Sequence, residues 1–217
     1  MGVFWQRKGF GGYPIDEMAA KAWAAEIAAG IPAEGILTGT RLATQAGWQP
    51  VERLRAGDLV LTFDAGPQPV SRVERISRDV DLSALPHLWP LAVPAGALGN
   101  AEAFWLLPEQ PVLIEADAAE TLYGDPFVLV PGLALDGWNG IGRSLPPRRL
   151  ELVTLEFAED QTVYCSGGAL LHCAADASPL DRLLGTAPAA APRLDYAEAA
   201  RLVAAMAQGS QGGPRYS

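Results

Sequence analysis

Cysteine and histidine are scarce in this 217-residue chain, with two of each. Two cysteines cannot form a disulfide framework. Cys165 and Cys173 flank a Ser166-Gly167-Gly168 turn signal, so they read either as buried thiols or as neighbours brought together by a hairpin. Basic residues are few as well: Lys+Arg 16 against Asp+Glu 25 gives a formal net charge of -9. That balance argues against a nucleic-acid partner, whose phosphates need clustered cations. Long apolar runs are missing. The longest uncharged stretch, Leu82 to Ala101, is broken by Pro86, Pro90, Pro94, Gly96 and Gly99, which excludes a membrane-spanning helix. Near the N-terminus, Arg7 and Lys8 lead into glycines and then into Asp16, Glu17, Lys21 and Glu26, without a signal-peptide apolar region. No membrane insertion is expected, and localisation leans to the cytoplasm.

What is present is enough for a folded core, since 49% of residues are hydrophobic. Asp16 to Ala29 reads as a short amphipathic helix behind a Gly- and aromatic-rich arm. From Gly35 to about Ala175, short runs rich in β-branched and apolar residues alternate with Gly and Pro every eight to twelve residues, the pattern of an all-β domain. Strands are expected at 41–44, 58–63, 88–93, 112–115, 127–130, 150–157 and 162–165, with Gly47, Gly66-Pro67 and Gly167-Gly168 in turns. Val70 to Ile76 fits helix or strand by spacing, and its neighbours favour strand. An Ala/Pro linker, Thr186 to Pro192, leads to a second amphipathic helix at 195–207, whose apolar stripe is expected to pack on its own domain, and then to a polar tail. The expected division is therefore 1–34, arm and helix; 35–175, β domain; and 176–217, linker, helix and tail.

Three blocks stand in order: Gly35-Ile-Leu-Thr-Gly-Thr-Arg-Leu-Ala-Thr, then Trp48-Gln-Pro-Val-Glu-Arg-Leu-Arg-Ala-Gly-Asp-Leu-Val-Leu-Thr, then Gly66-Pro-Gln-Pro-Val. This series resembles the opening of bacterial Hint (hedgehog/intein) domains, where a G-T-x-I-x-T-like strand leads to P-V-E-x-L-x-x-G-D. Pro50 to Leu54 and Gly57-Asp58 fill those positions. The resemblance runs on through Leu88 to Asn100, Leu107 to Ile114 and Leu122 to Pro131, covering roughly residues 35 to 175. It implies a mostly β fold, a pseudo-two-fold disc or horseshoe, here with short N- and C-terminal α-helices.

The resemblance also implies where chemistry would sit. Self-cleaving members open with Cys or Ser, the nucleophile that attacks the preceding carbonyl. Gly35 stands at that position and offers neither thiol nor hydroxyl. A second family element, Ser/Thr-x-x-His, supplies a proton to the leaving amide. Its counterparts are Leu107 and Gln110, and an amide side chain cannot shuttle a proton near neutral pH. The resemblance thus implies a domain that has kept its fold and lost autoprocessing, serving as a structural or binding module with an unidentified protein partner reached through its terminal helices. The alternative is a self-cleaving domain with a nonstandard nucleophile such as Thr38, releasing residues 1–34. Thr40 reads as a structural hydroxyl.

Other constellations carry less. Cys165, His172 and Cys173 offer ligands for a third reading, a metal-binding module, but their spacing matches no zinc motif and a fourth ligand is not evident. No metal and no cofactor are expected. His87 reads as a surface or packing residue. Asp58 reads as a turn cap, and the six tryptophans read as separate core anchors.

Overall fold

The computed structural model of the protein describes residues 34–79, 88–145, 149–175 and 191–209. The expected arm and first helix, His87, most of the 186–192 linker and the polar tail lie outside the described residues. Short runs, most of them rich in apolar residues, build strands in chain order: β1 (Ile36–Leu37), β2 (Arg41–Thr44), β3 (Gly47–Pro50), β4 (Leu59–Thr62), β5 (Gly66–Pro69), β6 (Arg72–Asp79), β7 (Leu91–Val93), β8 (Phe104–Leu106), β9 (Pro111–Glu115), β10 (Phe127–Pro131), β11 (Gly142–Arg143), β12 (Arg149–Glu156), β13 (Gln161–Cys165) and β14 (Ala169–Cys173). Among the described residues two α-helices accompany them, α1 (Asp117–Tyr123) and α2 (Tyr196–Gly209). The protein is mostly β.

The largest sheet has the order β10-β9-β14-β13-β2-β4-β5, with β3 paired to β2. Smaller sheets are β1-β12-β6 and β11-β7-β8. Gly47 and Gly66 open strands immediately after their turns instead of sitting inside them. Thr44 and Thr62 explain how these hairpins close. The Thr44 hydroxyl donates to the Gly47 carbonyl and accepts from the Ala46 amide. Thr62 does the same with Gly66 and Ala65, so each hydroxyl satisfies turn groups that the ladder leaves unpaired. Asp58 caps its turn by accepting from the Arg55 amide at 2.8 Å.

The main core lies between the sheets and under α2. Leu42, Val60, Leu91, Val112, Val128, Val163 and Leu171 are buried there together with Ala199 and Leu202 of α2. The helix thus packs on its own domain. Its start is a reciprocal cap: the Asp195 carboxylate accepts from the Glu198 amide, and Glu198 accepts from the Asp195 amide. A second, smaller cluster of Leu37, Leu88, Leu107, Leu150 and Leu152 forms beside β1 and β12. Gly168 is required by a close crossing, because a Cβ there would lie 2.2 Å from the Gly99 carbonyl oxygen. Arg75 of β6 fastens the long β6–β12 ribbon to the turn at Val51–Arg53 by donating to the carbonyls of Glu52 and Leu54.

Candidate functional site

The site begins at Gly35, immediately before β1. The register of β1 with β12 pairs Ile36 with Val153 and Leu37 with Leu152, which carries Gly35 toward Thr154. Gly35 has φ +151°, a conformation that strains any residue with a side chain. A Cβ built there would meet Leu152 Cδ1 at 2.8 Å and Thr154 Oγ1 at 3.6 Å. The place of a side chain at Gly35 is therefore taken by a buried leucine. Leu107 belongs to the same apolar cluster as Leu152.

The backbone side of Gly35 is polar. Its amide donates to Gln110 Oε1 at 2.9 Å, and Gln110 Nε2 donates to the carbonyls of His172 (2.7 Å) and Pro111 (3.3 Å). Gln110 is 2% exposed. It sits in the turn between β8 and β9, held by its amide on the Leu107 carbonyl and by the Gly132 amide on its own carbonyl. Gln110 is thus a buried bridge from the Glu34–Gly35 peptide to β14. Both ends of its amide are used in the polarity that Gly35 and His172 require.

Charged groups border this bridge. Glu34 pairs with Arg193 in the segment leading to α2. Glu109 is held above its usual carboxylate range by burial, with Arg193 opposing the shift and Glu34 adding to it. His172 lies 3.9 Å from Asp160 through Nε2. Burial lowers its pKa from the usual imidazole value, while Asp160 and Glu34 pull it up and Arg193 pushes it down. Burial, reinforced by Glu34, pushes the Cys173 thiol up to about 12, and burial likewise raises the Cys165 thiol. Neither is a ready thiolate.

The sequence-predicted positions do not all converge. Gly35 and Gln110 meet through one hydrogen bond, and Leu107 lies in the apolar cluster beside them. Thr38 is at the far end of β1, its amide on the Glu151 carbonyl, three residues along the strand from Gly35. Thr40 is buried, and its carbonyl accepts from the Val51 amide. The two cysteines are not partners across the hairpin: Cys165 faces Ala169 and Cys173 faces Gln161, which puts them at opposite ends of the β13–β14 ladder. Both belong to the main core, whereas His172, next to Cys173 on β14, points to the other face by strand alternation. Among the described residues no group of three or more His, Cys, Asp or Glu is placed to hold a metal ion. No helix among them is long and apolar enough to cross a membrane.

Sequence reasoning missed Leu152, Glu34, Arg193 and the His172 carbonyl. Local signals for them are absent, because Glu34 and Arg193 are 159 positions apart and a backbone carbonyl carries no residue signature. A separate open groove of about 630 Å³ lies between the β2–β3 turn and the 53–59 loop, lined by Thr44, Gln49, Arg53 and Asp58 among others. None of its lining residues belongs to the Gly35 cluster.

The peptide just ahead of β1 is thus clasped, through the Gly35 amide, by a residue of the β8–β9 turn in a mostly β domain. The Hint domain family model matches residues 35–170, and the chain belongs to that family. Among solved structures, it is similar to a bacterial intein-like domain from Clostridium thermocellum, at 14% identity, TM-score 0.46, and coverage of 64% of this chain and 98% of that one. The gp41-1 intein is similar at 13% identity, TM-score 0.39, and coverage of 64% and 97%. The MchDnaB-1 intein is similar at 12% identity, TM-score 0.38, and coverage of 63% and 98%. Among curated proteins no match is found.

Proposed function

We propose that this Hint domain has lost autoprocessing and works as a structural or binding module. The observation that carries the reading is the pairing at Gly35. Its amide is fixed by Gln110, which cannot titrate, while the space of a nucleophilic side chain is filled by Leu152. An acyl shift at the Glu34 carbonyl needs an oxygen or sulfur nucleophile and a proton for the departing amide nitrogen. Gly35 supplies no nucleophile. The group touching the amide nitrogen is the Gln110 carbonyl oxygen, an acceptor and therefore no proton source. Thr38, removed to the far end of β1, gives no support to a displaced nucleophile.

Intact mass of the purified full-length chain, before and after incubation with dithiothreitol or hydroxylamine, tests the reading. One unchanged mass is expected. A pair of fragments that meet at Glu34–Gly35 and sum to the chain plus one added water, hydroxylamine or dithiothreitol would overturn it. Thr154→Ala would then be the first variant to make, since Thr154 Oγ1 lies 3.6 Å from the missing Cβ of Gly35.

A further inference from the structure

The outer edge of β10 is filled by this chain's own residues 191–194, which lie beyond the 35–170 stretch matched by the family model. The Leu129 amide donates to the Pro192 carbonyl at 2.8 Å, and the Leu194 amide donates to the Leu129 carbonyl at 2.9 Å. Leu129 and Arg193 thereby form a parallel bridge. The two ends of this segment are buried and the two residues between them, Pro192 and Arg193, are exposed. Ala191 is buried with Leu113 and Leu129, against Phe63, Phe127 and Leu170. Leu194 is buried in the main core. Arg193, between them, reaches out to Glu34. Main-chain bonds to an edge strand, with flanking side chains seated in apolar places and one charge met by an opposite charge, are how a sheet can hold an extended peptide.

We propose that the β10 edge beside Glu34 is a peptide-docking site for an extended partner segment of small apolar–x–Arg–Leu chemistry, and that residues 191–194 occupy it in cis as a built-in competitor. This rests on the reading of the chain as a binding module and names the surface that such a module would use. Helix α2 anchors the competitor. Tethering of this kind gives an effective concentration on the order of millimolar, so a free peptide at about 100 μM is excluded from the wild-type chain and enters when the strap is weakened.

The test uses the full-length chain and a fluorescent peptide with the sequence of residues 189–196. Binding is measured by anisotropy to the wild type and to an Arg193→Glu/Leu194→Asp variant. Saturable binding at least about tenfold tighter to the variant is expected. A Glu34→Arg change added to that variant should shift preference by a similar factor to a peptide carrying Glu in place of Arg. If the double variant does not fold, Arg193→Ala serves instead. Its Leu129 amide should exchange hydrogen at least about tenfold faster than in the wild type and be protected again by added peptide. No saturable binding to a folded variant, or binding indifferent to the charge at Glu34, would overturn the proposal. So would dimerisation of the variant without peptide, which would assign the edge to a second copy. The outcome is separable from that of the mass experiment: a self-cleaving chain would defeat the proposed function and leave the docking edge standing, and absent peptide binding would do the reverse.

Discussion

The two sides of Gly35 face different solvents made of protein. On its amide side, Gln110 reproduces an ordered polar environment in which donor and acceptor are matched at 2.9 and 2.7 Å. On its Cα side, Leu152 and its cluster make an apolar wall. The difference shows which part of such a site a fold needs for itself. The backbone groups of buried Gly35 and His172 must be paired whether or not chemistry takes place, and the Gln110 side chain pairs both. The fold itself calls for no nucleophile there, and Leu152 packs where a side chain at Gly35 would lie.

Substitutions can break this contrast from either side. The largest effect is expected on the apolar side, where Leu152→Ala should cost about 3–4 kcal/mol in urea denaturation, the range for emptying a buried leucine site. On the polar side, Gln110→Leu strands the Gly35 amide and the His172 carbonyl. It should cost about 3 kcal/mol by the same measurement, given 1–3 kcal/mol for each buried group left unpaired. A cost under about 1 kcal/mol would mean that water replaces the bridge. Gly35→Ala sharpens the comparison at its centre. It should lose about 2 kcal/mol through strain and the contact with Leu152. In a Leu152→Ala background that loss should shrink by about 1 kcal/mol, a coupling read from the double-mutant cycle.

The smallest effect is electrostatic. Because burial lowers the pKa of His172 in the fold, the unfolded chain binds more protons than the folded one just below the ordinary imidazole value of 6.5. Stability from this group is therefore full above that value and falls as the pH drops through it, by up to about 1.4 kcal/mol per pH unit until the folded imidazole also titrates. His172→Asn should flatten the stability profile between pH 7 and 5. Glu109 has the opposite sign, since its raised pKa favours the fold at acid pH over the unfolded chain. Glu109→Gln should steepen the acid-side loss.

Much of the sheet was legible in the sequence because strands such as β2, β10, β12 and β13 are short runs rich in apolar and β-branched residues set between turn residues. Of Val70 to Ile76, ambiguous by period, residues 72–76 resolve as the start of β6, which β12 pairs along all eight residues, while Val70 and Ser71 precede the strand. What escaped were elements without a local signature. Two-residue strands β1 and β11 exist only through their partners. Helix α1, Ala-rich and seven residues long, is closed by Gly124 in a left-handed conformation, too short for periodicity to announce. Strand β14 completes the hairpin that the Ser166-Gly167-Gly168 turn signal allows, although its Leu-Leu-His-Cys run has no β-branched residue to mark it as a strand. At the site, the Gly35 and Gln110 positions could be placed by motif order, and their direct hydrogen bond joins them across 75 positions. Leu152 and Arg193 could not be placed, because what they do depends on where β12 and the last segment return.

The ends of the large sheet are sealed by unlike means. At one end, β5 carries Pro67 and Pro69, which lack amide hydrogens and tolerate an edge only with the nitrogen turned outward. At the other, β10 is covered by a segment of chain. A molecule that lost this cover would expose one adhesive edge and keep one inert edge. The adhesive edge would find no amide donors at Pro67 and Pro69 of β5 in another copy, so these prolines keep the two ends of the main strand row from joining.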